Sequence, residues 1–206
     1  MRISDDRYDR DRLRIDLAMR LIRHEARTST IRTWTGLTDD RIRKLYRSYL
    51  SGGEGHAVVR HRGKSPQQLA FFTRSDALRQ YAAALATLLR IYGALPRQPV
   101  PDAARVLPTV ARGELLCNAY ESFRSVNPAT RLGIEHAAFL LVTLARADEL
   151  QLVPCAECGS PGLLDRLATR ASCCGPCGAE LAPGIAARAA RAAPFAAPRN
   201  APASRC

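Results

Sequence analysis

The 206-residue sequence lacks any uninterrupted apolar stretch long enough to cross a bilayer as a helix, which removes a membrane span from consideration. It also lacks the apolar run of a secretory leader: the opening "MRISDDRYDRDRLRIDLAM" alternates charges, and a cytoplasmic location is the expectation. No repeat of solenoid length is present. No nucleophile and base are placed together by the sequence, and no glycine-rich phosphate loop appears, so neither an enzyme nor a small-molecule substrate is expected. Acidic residues are in deficit, with 19 Asp and Glu against 31 Lys and Arg.

The resulting net charge of +12 creates a field that favours polyanions, and nucleic acid is the first candidate partner. A coding bias towards arginine and alanine accounts for part of that excess. With 47% hydrophobic and 24% charged residues, the chain can bury an ordinary core.

The patterning predicts a mainly α protein. Residues 12–27 place Leu13, Leu17 and Leu21 on one stripe, with Ile15, Ala18 and Ile22 beside it, and arginines opposite. Gly36 is suited to ending one helix in the left-handed conformation, and Thr38 to capping the next, in which Ile42, Leu45 and Leu50 face inward. Residues 51–68 read as a basic loop carrying Arg60, Arg62 and Lys64. Ser75 caps a further helix that Pro96, Pro99 and Pro101 close, and two more follow near 110–125 and 134–151. These helices make a bundle over residues 1–153. A small module of cysteine, glycine and short polar segments occupies 154–182, and residues 183–206, nearly all Ala, Arg and Pro, read as a disordered tail.

Five of the seven cysteines fall in the module. Cys155 and Cys158 form one C-x2-C pair, Cys174 and Cys177 another, with fifteen residues between the pairs. That spacing is the one by which two thiolate pairs grip a single tetrahedral zinc ion, so one Zn2+ per chain is expected as the cofactor. Four thiolates leave no open coordination position, which makes the ion structural. Cys173 competes with Cys174 for the third ligand position: its choice gives a C-x3-C half-site, whereas Cys174 reproduces the spacing of the first pair. Cys117, inside an apolar helix, reads as a small buried hydrophobe.

Residues 28–50 match the spacing of a helix-turn-helix, with Ile31, Leu37, Ile42 and Leu45 at the packing positions. The second helix then presents Thr38, Arg41, Arg43, Lys44 and Arg47 as candidate DNA contacts, joined by Arg60, Arg62 and Lys64 of the basic loop. Asp39 and Asp40 suit the helix dipole at its start but oppose a phosphate. A packing-only helical pair, and a solvated face for the loop, are the plain alternatives.

The runs "IDLAMRLIRHEARTSTIRTWTGLTDDRIRKLYRSYL", "ELLCNAYESF" and "LLVTLARADELQLVPCAECG" resemble, in this order, the FlhC family, subunits of the bacterial flagellar master transcriptional activator. The resemblance implies a helical protein with a four-cysteine zinc site that acts in a heterohexamer with FlhD, binds promoter DNA and recruits RNA polymerase. Carried over by position, the zinc ligands fall on Cys155, Cys158, Cys174 and Cys177. The sequence departs from the family at "TRSDALR", where Asp76 is kept but Ala77 and Leu78 replace aromatics, at the additional Cys173, and throughout the tail. A zinc-stabilised assembly adaptor that leaves DNA reading to its partner is the alternative function.

Overall fold

A computed structural model describes residues 3–51, 58–61, 63–96, 108–169 and 171–181. The expected tail at 183–206, Pro99, Pro101 and Arg62 lie outside them. Among the described residues the fold is mainly α. Seven helices, α1 (Ile3–Arg23), α2 (Thr28–Thr35), α3 (Asp39–Ser51), α4 (Ala70–Thr73), α5 (Asp76–Ile91), α6 (Val110–Val126) and α7 (Ile134–Arg146), precede a hairpin of β1 (Leu150–Pro154) and β2 (Pro161–Asp165).

α6 is the central helix and packs against α1, α2, α5 and α7. Its inward residues Leu116, Cys117, Ala119 and Phe123 are fully buried, as are Leu17, Leu21 and Ile22 of α1, and Leu85 and Leu89 of α5. Gly113 permits the close crossing of α1, α2 and α6, because a Cβ there would stand 2.5 Å from Leu17 and 3.4 Å from Trp34. A polar clasp reinforces the α1–α6 seam. Arg20 donates to both carboxylate oxygens of Glu121, at 2.8 and 2.6 Å, and to Glu114 at 2.6 Å. Hydrogen bonding from Arg20, followed by that from His24, holds the Glu121 carboxyl down at about 2.

Two helices stop earlier than their sequence pattern suggests, and for the same reason. α1 ends at Arg23 rather than continuing to residue 27. There Glu25 takes a left-handed conformation (φ 60°), with its N–H on Ile22 O and the Ala26 N–H on Leu21 O, the double closure usually built on glycine. The Glu25 carboxylate is in turn held by the Val59 N–H (3.2 Å) and His61 (3.0 Å). α7 ends at Arg146, where Ala147 is left-handed (φ 58°) and donates its N–H to Thr143 O. The segment expected to finish that helix, from Leu150 onward, instead enters β1. α4 was not expected from the sequence; its Phe72 is fully buried and stacks on Phe139 of α7.

The hairpin is antiparallel, with Leu152 opposite Leu163 and Val153 opposite Gly162. Because side chains alternate between the faces of a strand, the two faces serve different cores. Leu150, Leu152 and Leu163 join the core of the helical body, while Val153 and Leu164 join a small cluster with Cys155, Cys174 and Leu181. Both strands rest on α5.

Candidate metal centre and basic helix

The hairpin turn is itself the first half of the cysteine site. Cys155 follows β1 directly, and its N–H donates to Ser160 O at 2.9 Å, which extends the ladder by one rung. Inside that rung Gly159, left-handed at φ 70°, donates its N–H to Cys155 O at 2.9 Å. The second half repeats this pattern nineteen residues on (174 against 155): the Cys174 N–H reaches Ala179 O at 2.8 Å, and Gly178, at φ 72°, reaches Cys174 O at 2.8 Å. Positive φ is adopted freely by glycine, which explains the glycine after each pair.

The two turns face each other and bring the sulfurs of Cys155, Cys158, Cys174 and Cys177 within 4.8 Å of one another. Cys155 Sγ lies 3.5 Å from Cys177 Sγ, and Cys158 Sγ lies 3.5 Å from Cys174 Sγ. A tetrahedral ion bound to thiolates at ~2.3 Å has ligand atoms roughly 3.8 Å apart, so the cluster has the size to hold a metal ion. Cys155 and Cys174 are buried and Cys158 and Cys177 exposed, so each turn contributes one inner and one outer ligand. Cys173 does not enter the cluster. It sits one residue before the turn, bridged to Glu180, with its sulfur 3.8 Å from Ala171 O.

The thiols differ in their readiness to ionise. Hydrogen bonding from Ser160 draws Cys158 down to about 6, whereas burial pushes Cys174 up to about 12. Four thiolates this close repel one another strongly, and a bound dication is the charge that lets all four deprotonate. Among the described residues, the small cluster at the centre of the module contains two cysteines and two leucines, with Val153 and Ala179 against them. The module is seated on α5, where a Cβ at Gly175 would come 2.6 Å from Gln80 Nε2. Cys117 lies apart from this site, fully buried in α6, and burial raises its thiol to about 12.

Of the expected packing positions in the helix pair α2–α3, Ile31, Leu37 and Ile42 are buried and Leu45 is half-buried, while the side chain of Leu50 lies outside the described ones. Gly36 is left-handed at φ 70°, its N–H bonded to Arg32 O, and Thr38 Oγ1 accepts from the Arg41 N–H at 3.4 Å. Ile31, Trp34, Leu37, Ile42 and Tyr46 are buried between the helices and α1. Tyr46 also donates its hydroxyl to Ala26 O, which ties α3 to the turn after α1.

Outward, Thr38, Arg41, Arg43, Lys44 and Arg47 are all exposed. Among the described residues, Arg41 pairs with Asp11 of α1 at 2.9 Å, and Arg43 pairs with Asp40 at 2.7 Å. Lys44 has no carboxylate partner among the described residues. Arg60 is placed differently from these, over the ring of Tyr46 at 5.3 Å and 3.3 Å from Thr28 Oγ1, while Lys64 is exposed farther along the loop. The contribution of Asp11 was hidden in the sequence. Nothing in the spacing of residues 11 and 41 shows that α1 extends far enough to meet α3.

No model of a known protein family matches the chain, and a search of curated proteins finds no match.

Proposed function

We propose that the chain is a DNA-binding subunit of a transcriptional activator, built on the FlhC pattern. The observation that carries this reading is the outer face of α3, where Arg41, Arg43, Lys44 and Arg47 are exposed opposite the buried Ile42 and Tyr46. A helix fixed from behind by apolar packing and basic in front suits insertion into a major groove, with phosphates as its first contacts. The net charge of +12 supports the same partner. In this reading zinc occupies the four-cysteine cage and makes the module rigid, and the chain acts in the cytoplasm in a heterohexamer with FlhD. The assembly binds promoter DNA of the flagellar regulon and recruits RNA polymerase.

Duplex binding measured by fluorescence anisotropy tests the reading. Affinity should fall with salt at a slope of about −0.9 per phosphate neutralised, and Lys44→Ala with Arg47→Ala should flatten that slope. Salt-insensitive binding, or none, overturns it.

A second reading has its own support. The pairing of Arg41 with Asp11 and of Arg43 with Asp40 consumes part of the basic face within the chain, as in an assembly adaptor whose partner reads the DNA. Footprinting with the isolated subunit separates the two: protection by this chain alone belongs to the first reading, and protection only with its partner to the second.

A further inference from the structure

A groove of about 830 Å3 lies on the body. Its walls are the turn after α1, residues 61 and 66 of the loop, the end of α6 and the start of α7. This volume is within the range of small-molecule sites. Four arginines line it, Arg23, Arg27, Arg124 and Arg131, together with three glutamates, Glu25, Glu121 and Glu135.

The glutamates keep their charge but offer the arginines few free lone pairs, because every one of their oxygens already accepts from the protein. Glu135 accepts from the Arg27 N–H at 2.7 Å and from the Thr30 hydroxyl at 2.8 Å. Glu121 is clasped by Arg20, with His24 2.7 Å away, and Glu25 is bound by the Val59 N–H and His61. Three of the arginines are less engaged. Among the described residues Arg23 and Arg131 have no carboxylate partner and are exposed, and Arg124 directs one N–H to Thr130 O at 3.0 Å. A guanidinium carries five N–H donors, so donor capacity in the groove exceeds the acceptors in its walls.

The start of α7 adds to this imbalance. Its N-cap is Gly133, which offers no side-chain oxygen to the first turn, and Gly133, Ile134 and His136 all line the groove. The positive end of this thirteen-residue helix opens towards the same space as the arginines, with Glu135 of its first turn beside it and the Gly133 N–H donated to His136 Nδ1 at 3.3 Å.

We propose that this groove binds a small phosphate-bearing anion, gripped by Arg23, Arg124 and Arg131 and by the N-terminus of α7. Phosphate suits the donors present because its oxygens accept forked N–H pairs from guanidinium and single N–H groups from a helix start. The ligand is held, not transformed, for the groove shows no nucleophile with an adjacent base. The proposal does not depend on DNA binding by α3.

Calorimetric titration of the full chain with pyrophosphate, at ionic strength matched with potassium chloride, is the test. Saturable one-to-one binding is expected, weakened about tenfold or more in Arg23→Ala with Arg131→Ala, both exposed positions whose loss leaves the core intact. Arg43→Ala with Lys44→Ala, on the distant face of α3, should leave it unchanged. Absence of saturable binding to the unmodified chain overturns the proposal, as does equal weakening by both variant pairs. A duplex arm identifies the source of phosphate: if the groove variant loses affinity for DNA while the unmodified chain does not bind pyrophosphate, the arginines contact a nucleic-acid backbone and the small-ligand site is overturned.

Discussion

The helical body and the cysteine module solve the same problem with unlike materials. The body excludes water with large side chains, among them Phe72, Phe123, Leu17 and Leu89, each fully buried. The module has Leu164 and Leu181 beside two buried cysteines, too little apolar surface to offset the entropy of ordering its turns. What the body obtains from area, the module would obtain from ligand bonds if the four-cysteine cage holds an ion. Cohesion in one is spread over many replaceable contacts, and in the other a bound ion would concentrate it at Cys155, Cys158, Cys174 and Cys177.

The sharpest way to break that contrast is to load the chain with Zn2+ and then take the ion away. On the proposed zinc site, one equivalent binds, and chelation or Cys155→Ser should release it and unfold the module, since the free energy of such sites is on the order of 10 to 16 kcal/mol. The far-UV helical signal should persist, with hydrogen-exchange protection lost at Cys174 and Leu181 and retained in α6. Loss of both together would show that the two regions are not separable.

The converse substitution is Phe123→Ala, which should lower the stability of the body by ~3 to 5 kcal/mol in a denaturant titration while metal content stays at one equivalent. Smaller in effect is Glu135→Gln. It replaces one of two buried carboxylate oxygens, which accept from Arg27 and Thr30, with a donor, and should cost about 1 to 3 kcal/mol by the same measurement. In the module, Gly178→Ala forces a left-handed residue beside a ligand and should cost roughly 1 to 2 kcal/mol, read as weaker metal affinity in a competition with a chromophoric chelator.

The smallest effect is expected from acid. Glu121 titrates lower in the folded chain, at about 2, than its ordinary value of 4.5. Its clasp with Arg20 thus contributes fully above the ordinary value and is lost as pH falls from there through about 2. Urea midpoints between pH 6 and pH 3 should drop less steeply in Glu121→Gln than in the unmodified chain.

The two regions also differed in how far the sequence disclosed them. The cysteine spacing identified which sulfurs meet, because ligand geometry is local and each C-x2-C-G turn is nearly self-contained. Only the competition between Cys173 and Cys174 needed coordinates: strand register places Cys174 inside the turn and Cys173 one step before it. In the body, apolar periodicity located the long helices but not their ends at Arg23 and Arg146. The stops there are Glu25 and Ala147, residues that carry no stop signal, left-handed where the chain closes back onto the last turn. The hairpin escaped notice because Leu150 and Leu152 continue the apolar pattern of α7 well enough to pass for its last turn. The Asp11–Arg41 pair and the groove at the start of α7 are products of tertiary placement, and no local pattern encodes them.

The ribbon formed by β1 and β2 has a consequence for biosynthesis. It follows all seven described helices in chain order, yet Leu150 and Leu163 complete the greasy flank beside α5. A nascent chain leaving the ribosome must keep that flank uncovered until residue 165 has emerged, a window in which chaperone capture or clumping competes with closure.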